Sequence, residues 1–142
     1  VQEQTTTLTI TNDTACLAPV RDMVQRAIVE GHCPDEWGMQ VQLAVDEAVT
    51  NIIEHAYSGV GRGLGTITLC QTIAVDRYQM IIEDNGLSFE PQTHGEIDIH
   101  EHVRRGRSGG LGIFLMRRIM DVVDYSFEAG VCNRLLLIKY MS

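Results

Sequence analysis

The alternation of apolar and polar residues changes period several times along the chain, and each change marks an element. TTTLTIT, residues 5–11, is rich in β-branched side chains and alternates at Leu8 and Ile10, which predicts an opening strand. Asn12, Asp13 and Thr14 offer caps for a first helix. Its stripe is Leu17, Val20, Val24, Ala27 and Ile28, and Gly31 is placed to end it. After Pro34, Asp35 can cap a second helix in which Val41, Val45, Ala48, Val49, Ile52 and Ala56 recur at helical spacing. SGVGRGLG, residues 58–65, is a glycine-rich connection. TITLCQTIAV and YQMIIED, on either side of a turn at Asp76 and Arg77, read as an antiparallel hairpin. Periodicity then stops from Asn85 to Ser108, a stretch long enough to predict a functional lid. Glycines at 109, 110 and 112 lead into IFLMRRIMD, a helix, and DYSFEA with NRLLLIKYM forms a last hairpin.

Helices grouped early and strands mostly in hairpins predict an α+β fold, a two-layer sandwich with helices on one face of a mostly antiparallel sheet, and not a doubly wound parallel sheet. A length of 142 residues suits one domain over 1–142 with one core. With 44% hydrophobic and 21% charged residues the composition is globular, without repeats or low-complexity tracts. The formal charge of -8 argues against direct nucleic-acid binding and against an anionic membrane surface, since both require a basic face. Local clusters can still hold phosphates, and Arg104, Arg105 and Arg107 form one in a chain whose lone lysine is Lys139, although a solvated loop explains them as well. Cys16, Cys33, Cys70 and Cys132 are scattered without a CxxC pair and read as reduced core thiols. No signal peptide pattern and no long apolar run is visible, so the expected location is the cytoplasm.

Candidate chemistry sits in three stretches. DEAVTNIIEHAY, residues 46–57, lies within the second helical pattern. At about 100° per residue, Glu47, Asn51 and Glu54 share a narrow arc opposite Val45, Val49, Ile52 and Ala56. An amphipathic helix ordinarily solvates such a face, but Asn is a poor helix former and an odd choice for one. Its amide oxygen can ligate a hard cation such as Mg²⁺, and a glutamate one turn earlier can take a proton nearby. EDNGLSFEP, residues 83–91, follows a hydrophobic strand. It describes a turn, or a site where the Asp84 carboxylate accepts from an exocyclic amino group while Gly86 lets backbone approach a flat ring. RSGGLGIFLMRRIMD, residues 107–121, places glycines before a helix, as a hinge or as a phosphate site at a helix start. No Walker-type loop or GxGxxG is present. His94, Glu96, Asp98, His100 and His102 alternate and could share one side of an extended segment toward a transition metal, or simply be solvated.

Taken jointly, ExxxN on a helix, DNGxxF after a strand and GGLG opening a helix resemble the N, G1 and G2 boxes of the GHKL (histidine-kinase-like) ATPases. Within that superfamily the EAVTNIIEHAY form of the first box, Phe89 and Pro91 after the second, and GGLGIFLMRRIMD in the third are similar to anti-sigma-factor serine kinases of the RsbW and SpoIIAB type. The resemblance implies a Bergerat fold and ATP with Mg²⁺ as cofactors. It implies Glu47 as catalytic base, Asn51 as the Mg²⁺ ligand, and Asp84 with Gly86 at the adenine. Gly110, Leu111 and Gly112 would close on the phosphates beside Arg105 and Arg107, with residues 92–109 as lid. The implied partners are a STAS-domain anti-anti-sigma protein, a sigma factor and a second copy of the chain. A switch kinase of a signalling scaffold and a nucleotide-gated binding module with little catalysis are the alternative functions.

Overall fold

The threonine-rich opening segment forms strand β1, Gln4–Thr11, at one edge of a five-stranded sheet. The computed structural model describes residues 2–56, 63–86, 108–128 and 132–141. After β1 come a short 3-10 turn (Thr14–Cys16), helix α1 (Leu17–Glu30) and helix α2 (Asp35–Asn51), which runs on into a π-helical segment, Ile52–Ala56. Strands β2 (Thr66–Ile73) and β3 (Arg77–Asp84) follow, then helix α3 (Ser108–Ile119), β4 (Val122–Glu128) and β5 (Cys132–Tyr140). The strand order is β1-β2-β3-β5-β4, and every neighbouring pair is antiparallel. This is the α+β arrangement that the pattern predicts.

The two faces of the sheet follow from its period of two. Ile67, Leu69 and Ile73 of β2, Tyr78, Met80 and Ile82 of β3, and Leu135 and Leu137 of β5 are buried in one core with Val20, Val24, Val41, Val45 and Val49 of the helices. Positions between them are mostly less buried, so the helices cover one side. Cys16, Cys33, Cys70 and Cys132, expected in the core, are free thiols and all four are only partly buried. Asp84 and Asn133 extend the covered rows: the register sets Asp84 opposite both Ile67 and Asn133. A polar chain anchors α1 on this face. The Tyr78 hydroxyl donates to Gln71 Oε1 at 2.7 Å, and Gln71 Nε2 donates to the Met23 carbonyl at 3.1 Å. Such a buried chain is favourable because each member is satisfied.

Helix ends differ from expectation in three places. Gly31 adopts an ordinary right-handed conformation, and the residue at positive φ is His32, at 51°. His32 N donates to Val29 O and Cys33 N to Ile28 O, the paired bonds of a Schellman end with histidine in the left-handed seat. Gly31 is required for another reason: a Cβ there would lie 2.9 Å from Ile73 Cγ1. Asp35 does not cap α2. Pro34 occupies the N-cap with extended backbone, leaving Asp35 and Glu36 in the first turn, where their charge suits the helix dipole. Lastly, Ser108, Gly109, Gly110, Leu111 and Gly112 lie inside α3, although the glycines were expected before it. Glycine is a poor helix former, so the start was placed too late; α3 packs against α2, and packing overrides propensity.

Candidate functional site

Two groups of candidate residues stand at the ends of β3 and α2. At the end of β3, Asp84 is 5% exposed and points to the helix-covered side. Its Oδ1 accepts from Gly86 N and from Asn133 Nδ2, both at 2.9 Å. Asn133 Nδ2 also donates to the Gly86 carbonyl at 3.0 Å. Both protons of that amide are thus committed. The expected turn and the expected site coincide: the Asx turn that Asp84 makes with Gly86 is what aims the carboxylate. Burial pushes the Asp84 carboxyl above its usual range, and the Asn133 and Gly86 hydrogen bonds pull it back. A 180 Å³ depression bordered by Thr66, Thr68, Glu83, Asp84, Asn85 and Cys132 lies on the outward rows of the sheet, away from the side to which the Asp84 carboxylate points. Larger cavities lie elsewhere, 390 Å³ between β1 and α1 and 480 Å³ between α1 and α2. Volume alone favours those two. Neither gathers a buried carboxylate with fixed donors, so the site is assigned from Asp84 and its donors and not from cavity volume.

At the end of α2 the arrangement is different. Asn51, the last α-helical residue, is 2% exposed, so it does not stand on a solvated face. Its Nδ2 is buried without a hydrogen-bond partner among the described residues. A buried amide nitrogen left unpaired at a helix end fits a role toward a polar group brought from outside, and the oxygen of a carboxamide is the type that ligates Mg²⁺. Glu47, one turn earlier, is half-buried. Burial, and then the charges of Asp46 and Glu54, raise its carboxyl above the ordinary range, which makes it a better proton acceptor than a free glutamate. Asp46 is itself held by Arg21 Nε at 3.0 and 3.2 Å and by Gln42 at 3.4 Å. The π-helical turn begins at the next residue, Ile52. It widens the winding, so Glu54 departs from the regular step that put it in one arc with Glu47 and Asn51, and it is exposed.

Gly110, Leu111 and Gly112 occupy the first turns of α3, a helix that packs against α2. Arg105, Arg107 and the His- and acid-rich run of residues 94–102 fall outside the described residues, as does nearly all of the expected lid. Among the described residues, no group of three or more His, Cys, Asp or Glu could hold a metal ion, and no helix is long and apolar enough to cross a membrane.

Sequence reasoning missed Asn133. The signal was an asparagine in the inward row of CNRLLLIKY, where Leu135 and Leu137 occupy the following inward positions. Asn12, read from sequence as a possible helix cap, has a buried Oδ1 that accepts from Gly65 N at 2.8 Å and ties the end of β1 to the start of β2.

Comparisons with known proteins give the family and the fold. The model of the histidine kinase-like ATPase domain family matches residues 10–139. Serine-protein kinase RsbW of Staphylococcus epidermidis is 39% identical over 104 residues, 70% of this chain and 64% of that protein. The protein of the same name from Listeria monocytogenes is 35% identical over 106 residues, 72% of this chain and 65% of its own length. The matched region therefore spans less than two thirds of either relative. A structure of the SiaB-SiaC complex from Pseudomonas aeruginosa shares the fold, with a TM-score of 0.65 at 12% identity over 95% of this chain and 89% of that one. So does a structure of the RsbU and RsbW domains of a Mycobacterium tuberculosis protein, with a TM-score of 0.63 at 12% identity over 96% of this chain and 32% of that one.

Proposed function

The chain belongs to the histidine kinase-like ATPase family, and on that premise we propose that it is an ATP-dependent protein serine kinase acting as an anti-sigma factor in a partner-switching pathway. The observation that carries a nucleotide site is the buried Asp84 carboxylate, with one oxygen filled by two donors and the other without a hydrogen bond from any described residue. The relatives named serine-protein kinases supply the reaction class.

In this reading Asp84 accepts from the adenine amino group and Gly86 lies along the base. Backbone at Gly110, Leu111 and Gly112 faces the phosphates, with Arg105 and Arg107 adding charge. Asn51 Oδ1 would hold Mg²⁺, which when bound would supply positive charge against the phosphates. Glu47 orients the attacking serine hydroxyl and takes its proton. The serine Oγ bonds to the γ-phosphorus, the bond from that phosphorus to the oxygen leaving with ADP breaks, and the proton resides on the Glu47 carboxylate. The acceptor serine belongs to a STAS-domain anti-anti-sigma protein, the alternative partner is a sigma factor, and the chain works in the cytoplasm as a homodimer. The test is incubation with Mg²⁺, labelled ATP and STAS-domain proteins co-purified from the native cell. Phosphoserine should form on the antagonist. ATP binding without any transfer would overturn the kinase assignment and leave a nucleotide-gated binding module.

A further inference from the structure

We propose that Asn133 is the positioning residue that makes Asp84 read a purine bearing a 6-amino group and reject one bearing a 6-oxo group. This rests on the nucleotide site proposed above and assigns a role to a residue outside its contact set. Asn133 stands directly opposite Asp84 across the β3 and β5 ladder, where facing side chains are close enough to bond. It is 3% exposed. Its amide group has two protons: one goes to Asp84 Oδ1 and the other to the Gly86 carbonyl. Both acceptors are oxygens, so only the NH₂ end can meet them, which fixes the orientation of the carboxamide.

The consequence lies in what remains for a ligand. Gly86 N and Asn133 Nδ2 converge on Oδ1, and the same asparagine holds the turn from which Gly86 N donates. The carboxylate cannot turn without losing two bonds. Its reading is carried by Oδ2, an acceptor in a fixed place. An amino group presents a proton to it, whereas a 6-oxo group presents a second acceptor to it. Without Asn133 the carboxylate is tied by Gly86 alone and can rotate away from that clash, so the cost of the oxo group falls while the gain from the amino group also falls.

The test is the ratio of affinities for ATP and inosine triphosphate, each with Mg²⁺, measured by titration for the wild type, Asn133→Leu and Asn133→Thr, with folding checked by circular dichroism. The wild type should prefer ATP by about tenfold or more. Asn133→Leu should lose most of that preference, mainly through weaker ATP binding. Threonine can donate once to Asp84 but cannot also hold the Gly86 carbonyl, so its ratio should fall in between; this variant decides the matter if the leucine protein does not fold. A wild-type ratio retained in both variants, or an equal loss of both nucleotides, overturns the positioning role. A wild type that binds ATP and inosine triphosphate alike overturns the reading of Asp84 itself, and the role of Asn133 with it.

Discussion

At the end of β3 the Asp84 carboxylate already has one oxygen filled and its turn locked by Asn133, whereas at the end of α2 the buried Asn51 Nδ2 has no partner among the described residues and Glu47 sits beside like charges. One end of the site has its hydrogen bonds made within the sheet. The other leaves its electrostatics unbalanced. The difference matches two tasks: recognising a rigid, neutral base benefits from a preformed acceptor, while handling a metal and highly charged phosphates calls for groups whose balance is completed by what binds. A buried unpaired amide and a desolvated carboxylate both cost stability, which is the usual signature of a place kept for function.

The largest expected effect comes from the unbalanced end. Glu47→Gln keeps shape but loses the basic carboxylate, so phosphoserine formation should drop by roughly 10²–10⁴-fold with Mg-ATP still bound. Transfer near the wild-type rate would remove Glu47 from the role of base. The same substitution has a stability signature. A carboxyl raised in the folded state contributes stability below its unfolded pKa that is lost as the pH rises through the folded value. Glu47→Gln should therefore unfold at a higher temperature than the wild type near neutral pH, with the gap closing toward about pH 4.

Next comes Asp84→Asn, which turns an acceptor into a donor facing the base amino group and costs on the order of 1–3 kcal/mol. ATP affinity should fall by roughly tenfold or more, as calorimetric titration would read it. Unchanged affinity would take Asp84 out of the site. Asn51→Leu should separate binding from folding. Removing an amide nitrogen that has no partner removes its desolvation penalty, so thermal stability should hold or rise while the Mg²⁺ dependence of nucleotide affinity disappears. A large loss of stability with Mg²⁺ dependence intact would make Asn51 an element of the core alone. The smallest effect serves as a control outside both ends. His32→Gly relieves a left-handed residue at the end of α1 and should stabilise the fold by about 0.5–1 kcal/mol without altering nucleotide affinity. Thermal unfolding checks it.

The same contrast describes what could be read from sequence. Period-two and period-3.6 patterns located the strands and helices, because the core faces of β2, β3 and α2 are nearly uninterrupted. Glu47, Asn51 and Asp84 stand out as candidates because polar residues interrupt those patterns at element ends, and their roles, with that of Gly86, come from the family resemblance. Asn133 was not, since its role depends on the register that sets it against Asp84, and register between distant strands is not a local property. His32 was missed for a related reason. Local rules give the left-handed seat to glycine, but Gly31 was already needed one position earlier, where Ile73 leaves no room for a Cβ. The π-helical turn after Asn51 breaks a period that sequence reasoning had extended through Glu54.

The difference between the two ends is most directly tested by amide hydrogen exchange of the chain alone and with Mg-ATP. The Gly86 amide, bonded to Asp84 Oδ1, should exchange slowly in both states, while the amides of Ile52–Ala56 beside Asn51 should slow only when Mg-ATP is present. Fast exchange at Gly86 that slows only on nucleotide binding, with no change at Ile52–Ala56, would contradict a preformed base end and a phosphate end completed by its ligand.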